Sequence, residues 1–102
     1  MIEPFVLQYV VDKTDRYAVA FRPQSGGTIK LFAVRHPPDP WGKSVTVHHL
    51  YTSGEVCVSA GREPRTADRA RAIAMVWVKG WSVYCRTGVF PNGGQRVNVP
   101  EG

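Results

Sequence analysis

The 102-residue chain has no C-x-x-C pair, no H-E-x-x-H and no glycine-rich phosphate loop following a strand. Those gaps remove the usual sequence signatures of a dithiol redox centre, a zinc protease and a nucleotide site. Cysteine is scarce: only Cys57 and Cys85 are present, too few for a disulfide framework. No secretion signal is legible, because the first ten residues carry Glu3 and Pro4 and no basic n-region. No apolar run approaches the length that spans a bilayer. The expectation is a cytoplasmic protein with both thiols reduced and no contact with membrane. Carboxylates that could work as a general acid and base are also missing. Asp12, Asp15 and Asp39 fall in expected loops, and Glu55 stands beside the Cys57 segment. There are no internal repeats and no low-complexity stretch.

What is present suffices for a fold. Hydrophobic residues make up 43% of the chain, enough for one small domain over residues 1–102 that needs neither metal nor disulfide. No cofactor is expected. The formal charge is +5, which permits nucleic acid or an acidic protein surface as partner. Arg62, Arg65, Arg69 and Arg71 fall within ten residues. Such a run is either a solvated face or a docking surface. Arg62, Arg65 and Arg69 are the docking candidates.

The first half reads as strands. Phe5, Leu7, Tyr9 and Val11 alternate with Val6, Gln8 and Val10, and Tyr17, Val19 and Phe21 alternate again beyond a polar turn at 12–15. Ile29–Val34 makes a third strand after a second turn at 22–27. The segment 36–42 holds three prolines in seven residues and predicts an extended crossover loop. Val45–Leu50 predicts a short fourth strand, turned by Thr52-Ser53-Gly54. From Thr66, a suitable N-cap, the period becomes helical. Ala70, Ile73, Ala74, Trp77, Trp81, Tyr84 and Cys85 form one apolar stripe, and Thr87-Gly88 ends it. Phe90–Gly94 predicts a turn, followed by a tail. The sum is an α+β fold: an antiparallel meander of three to four strands packed against one long C-terminal helix.

Cys57 is the remaining candidate for chemistry. A thiolate is a strong nucleophile, and Ser59-Ala60-Gly61 after it suggests an exposed irregular segment. His49, across the Thr52–Gly54 turn, could lie near it and lower its pKa. Against this, a cysteine between Val56 and Val58 is more often buried and inert. Zinc held by His48, His49 and Cys57 is disfavoured, because neighbours on a strand point to opposite faces.

The segment His49-Leu50-Tyr51-Thr52-Ser53-Gly54-Glu55-Val56-Cys57 resembles the active-site stretch of bacterial ubiquitin-conjugating-like proteins. That family places a histidine, then a tyrosine, a glycine and the catalytic cysteine, here His49, Tyr51, Gly54 and Cys57. A second block, Trp77, Trp81, Tyr84, Thr87-Gly88, Phe90-Pro91 and Gly93-Gly94, resembles the family's helix and following turn. The resemblance covers residues 45–94 and implies a ubiquitin-conjugating-like fold and a thioester carrier. Cys57 would accept a protein C-terminus and pass it to a target. His49 would order the loop, and backbone amides of Val58–Gly61 would steady the oxyanion. It further implies a stand-alone member of the kind found in short type II CBASS anti-phage operons. The carried protein would then be a cGAS-like nucleotidyltransferase or a ubiquitin-like protein, with a separate activating enzyme as a further partner.

Two other readings stay open. One is a non-catalytic scaffold on the same fold. The other is a basic, β-rich nucleic-acid binder using Tyr9, Tyr17 and Phe21, disfavoured because aromatics at alternating strand positions are more often core. The carrier reading expects Cys57 to be reachable by solvent, and Cys85, on the helix stripe, to be buried.

Overall fold

The computed structural model describes residues 3–91. Five elements follow in chain order: β1 (Phe5–Val11), β2 (Asp15–Pro23), β3 (Ile29–Arg35), α1 (Val45–His48) and α2 (Ala67–Thr87). The strands form one open antiparallel sheet in the order β1-β2-β3. Alternation fixes its faces. Tyr17, Val19 and Phe21 of β2 and Ile29, Leu31 and Ala33 of β3 are buried, while Val6, Val10 and Val34 are more than half exposed on the other side. Asp12 and Lys13 at the β1–β2 turn both have left-handed backbone, with φ of 53° and 64°. Two successive left-handed residues match the right-handed twist of the strands they join.

α2 covers the inner face of this sheet. Thr66 caps it, its side chain accepting the Arg69 N–H, and Gly88 closes it with φ 78° while its N–H donates to the Tyr84 carbonyl. Trp77, Trp81 and Tyr84 lie on the buried stripe, and the Tyr17 ring meets Trp77 edge-on with centroids 6.0 Å apart. Each such buried side chain contributes about 1.5–3 kcal/mol of apolar burial. Past the cap, Phe90 folds back onto Gly80, so closely that a β-carbon there would overlap its ring. Phe90 also meets the His49 ring at 4.8 Å, which couples the end of the helix to the loop that carries His49.

The expected fourth strand over Val45–Leu50 is not formed. Val45–His48 is a single helical turn that ends at His49, whose backbone is left-handed at φ 63°. The β-branched residues favour a strand, but tertiary contacts override that preference. The Ser44 carbonyl accepts from the Val47 and His48 N–H groups, and the buried His48 ring lies against Trp81 and Tyr84. Strand geometry survives only as a bridge between Leu50 and Val56. The Thr52–Gly54 turn forms where expected. Of the predicted Phe90–Gly94 turn, only Phe90 and Pro91 fall among the described residues, and the tail lies outside them.

Candidate functional site

The turn after α1 is a miniature hairpin laid along the free edge of β3. Tyr51 N–H donates to the Glu55 carbonyl at 2.9 Å, and Gly54 N–H donates to the Tyr51 carbonyl at 2.9 Å. Gly54 has φ 91°, a conformation that suits glycine best. The hairpin is held to β3 by Ala33 N–H on the Gly54 carbonyl (2.8 Å) and by Val56 N–H on the Leu31 carbonyl (2.9 Å). Cys57 follows at once, and its N–H donates to the His49 carbonyl at 2.8 Å. His49, Tyr51, Gly54 and Cys57 are thereby gathered in one turn, with Cys57 Sγ donating to Tyr51 Oη at 3.4 Å.

Accessibility is the reverse of the expectation. Cys57 retains only 5% of its surface, while Cys85 is partly exposed. The thiol meets the Tyr51 hydroxyl, and Tyr51 is itself 43% exposed. Cys85 ends the helix stripe at its margin rather than inside it. Burial and the nearby carboxylates of Asp15 and Asp39 push its thiol up to about 11. At neutral pH it therefore stays a protonated, weakly nucleophilic thiol.

His49 is fully buried. Its backbone also ties the loop: its N–H donates to the Val45 carbonyl and its carbonyl accepts from Cys57, both at 2.8 Å. Of the amides in Val58–Gly61, that of Gly61 is taken by the Glu63 carboxylate at 3.0 Å. A small cavity of about 190 Å³ opens beside the thiol loop, with Lys30, Tyr51, Glu55, Val58 and Glu63 among its walls.

The docking arginines sit in three different local settings. Arg62 is exposed in the turn that its own N–H closes on the Ser59 carbonyl. Arg65 reaches across to the β2–β3 turn, Nη1 donating to the Gly26 carbonyl at 3.1 Å. Arg69 sits in the first turn of α2, half-buried, and Arg71 pairs with Asp68. Arg65, Thr66, Gln24 and Thr28 border a second cavity of about 440 Å³. Of the aromatics offered for base stacking, Tyr17 and Phe21 are in the core.

The acids converge more than their loop positions suggested. Asp12 and Asp15 both reach Arg86, at 3.6 and 2.8 Å. Asp39 organises the proline-rich loop. Its Oδ1 accepts from Tyr84 Oη (2.8 Å), Trp41 N–H (2.9 Å) and Gly42 N–H (3.0 Å), and its Oδ2 stands 3.6 Å from His48 Nε2. Burial opposes the Asp39 carboxylate, but these donors together with His48 outweigh it and hold its pKa below the ordinary value. Burial, reinforced by the hydrogen bond to Asp39, pushes the Tyr84 phenol up to about 12. His48 Nδ1 accepts the Leu50 N–H at 3.2 Å, which leaves Nε2 to face Asp39. Trp81 Nε1 donates to the Pro37 carbonyl at 3.0 Å. The last helical carbonyls are capped from the same loop, Cys85 by Trp41 Nε1 (3.2 Å) and Gly88 by Lys43 Nζ (2.7 Å). A cation at a helix C-terminus is favourably placed against its dipole.

His48 and His49 turn their rings to different neighbours, Trp81 and Tyr84 for one and Phe90 for the other. Among the described residues, no group of three or more His, Cys, Asp or Glu side chains could hold a metal ion. No helix among them is long and apolar enough to cross a membrane. The domain is thus a small α+β unit, a three-stranded antiparallel sheet with a C-terminal helix. No family model, curated protein or solved structure matches the chain.

Proposed function

We propose that this chain is a ubiquitin-conjugating-like thioester carrier working through Cys57. The observation that carries the reading is the convergence of His49, Tyr51, Gly54 and Cys57 in one turn, with the thiol on the Tyr51 hydroxyl. The sulfur of Cys57 attacks the thioester carbonyl of a loaded activating enzyme. A new S–C bond forms, the old one breaks, and the proton leaves with the departing thiol. An acceptor amine then attacks, forming N–C and releasing Cys57 as thiol. The Tyr51 hydroxyl, which accepts from the resting thiol, can turn its own O–H to the oxyanion in the tetrahedral step, and the amides of Val58–Ala60 are the backbone candidates. His49 fixes the loop through its main chain. The cavity beside Tyr51 and Val58 offers room for the terminal residues of the carried protein, in this reading a cGAS-like nucleotidyltransferase or a ubiquitin-like protein in a cytoplasmic anti-phage operon.

The burial of Cys57 favours a second reading, a scaffold on the same architecture without turnover. One experiment separates them. Cells expressing the neighbouring genes with Cys57→Ser or Cys57→Lys should accumulate an ester or amide adduct, seen as a mass increase by intact-protein mass spectrometry. Absence of adduct together with full defence by Cys57→Ala establishes the scaffold.

A further inference from the structure

The two outer edges of the sheet are treated differently. That of β3 is occupied: Gly54, Val56 and Pro64 all hydrogen-bond to it. That of β1 has no pairing strand among the described residues. An open edge presents unpaired N–H and C=O groups at alternate residues, and proteins usually blunt it with charge, proline or a bulge. None of these devices interrupts Phe5-Val6-Leu7-Gln8-Tyr9-Val10-Val11, and its pairing with β2 is regular throughout. The strand carries no charge within a chain of net charge +5. Its inward residues Phe5, Leu7, Tyr9 and Val11 pack against the core yet are only half-buried, so the core is incompletely closed on this side.

We propose that β1 is an interface between two copies of this chain, joined antiparallel about Gln8 into a continuous six-stranded sheet, three strands from each copy. The strand is nearly palindromic in chemistry about that residue. Gln8 faces Gln8 of the second copy, Val6 faces Val10, Leu7 faces Tyr9, and Phe5 faces Val11. Every outward residue thus meets its like in polarity, and every half-buried inward residue meets an apolar one. Such cross-strand pairs are the unit of sheet stabilisation. The contact is isologous, so it closes at two copies. Carrying the register past the strand brings Glu3 of one copy towards Lys13 of the other, and both are exposed. Cys57 and Tyr51 lie along the opposite edge, beyond β3, so the interface leaves the candidate site open and does not depend on its chemistry.

The oligomeric state of the full chain tests this by analytical ultracentrifugation over a concentration series. A dimer is expected, and it should persist at high salt, because apolar contacts and main-chain hydrogen bonds rather than the exposed Glu3 and Lys13 charges hold it. Gln8→Lys and Gln8→Glu, both at an exposed position, should each weaken association by about tenfold, since like charges then face each other across the axis. An equimolar mixture of the two variants should regain a dimer of mixed composition, read by native mass spectrometry. Circular dichroism melts of each variant check that the fold is retained. A chain that stays monomeric at the highest soluble concentration overturns the proposal. So does a dimer indifferent to both Gln8 substitutions. A monomer whose β1 edge amides resist hydrogen exchange overturns it too.

Discussion

The loop centred on Asp39 and the turn carrying Cys57 both lie between β3 and α2, and they are built in opposite ways. Asp39 gathers three hydrogen bonds and a histidine, and its neighbours cap the end of α2. It resembles an active site in its density of titratable groups, yet every one of them is engaged in holding the proline-rich loop to the helix. The Cys57 turn is held almost wholly by main-chain bonds, and its thiol meets one exposed tyrosine. Dense polar networks over-determine a structure, whereas a reactive group needs a partner that can leave. The thioester chemistry proposed above falls on the sparse turn and not on the dense loop.

The sharpest way to break this contrast is to remove each centre in turn. Asp39→Ala strands the Tyr84 hydroxyl and two loop amides, and is expected to cost about 3 kcal/mol in urea unfolding. Cys57→Ala should cost about 1 kcal/mol while abolishing any thioester. Equal losses would mean that the turn is as structural as the loop.

Gly80→Ala probes the link between the two regions. Alanine is the better helix former by about 1 kcal/mol, but its methyl must displace the Phe90 ring. Overpacking should win, for a net loss of about 1–2 kcal/mol, together with faster alkylation of Cys57 as Phe90 is pushed towards His49. Thermal melts and a mass-spectrometric time course read the two effects.

Acid should weaken the Asp39 loop before the Cys57 turn. The folded pKa values of Asp39 and Asp15 are depressed below their ordinary 3.8. For Asp15, burial is outweighed by hydrogen bonds from Ser82 and Arg86 and by the Arg86 charge. Their stabilisation is therefore complete above 3.8 and is lost as pH falls through the lower folded values. Tryptophan fluorescence should report loss of native packing below about pH 4, and Asp39→Asn should flatten that profile. The smallest effect concerns Tyr51. Tyr51→Ala should leave stability within about 0.5 kcal/mol yet speed alkylation of Cys57. Tyr51→Phe, which keeps the ring, should do so less. Unchanged rates in both variants would show that Tyr51 is not the cover.

Strands and the long helix were legible because their signals are local. The alternation of Tyr17, Val19 and Phe21 and the stripe from Ala70 to Tyr84 each select one face, and Thr66 and Gly88 mark the ends of α2. Val45–Leu50 misled because its β-branched residues speak for a strand, while the His48 ring, drawn into the Trp81–Tyr84 cluster, imposes a helical turn. Asp39 read as an isolated loop acid because its partners Tyr84 and His48 are remote in sequence. The gathering of His49, Tyr51 and Cys57 was foreseeable from the Thr52–Gly54 turn, which folds the two arms together whatever else packs around them.

By itself the sequence determined the α+β architecture, the ends of α2 and the closeness of His49 to Cys57, since periodicity, capping and turn chemistry act over a few residues. Only the tertiary structure decided which thiol is covered. The helix period places Cys85 on the stripe, but the stripe runs out at the end of α2, so Cys85 faces partly outward. Cys57 has no such period. It is buried where its turn is laid along the free edge of β3, with the sulfur on the Tyr51 hydroxyl. Exposure at such points depends on where remote elements stop, and no local pattern records that.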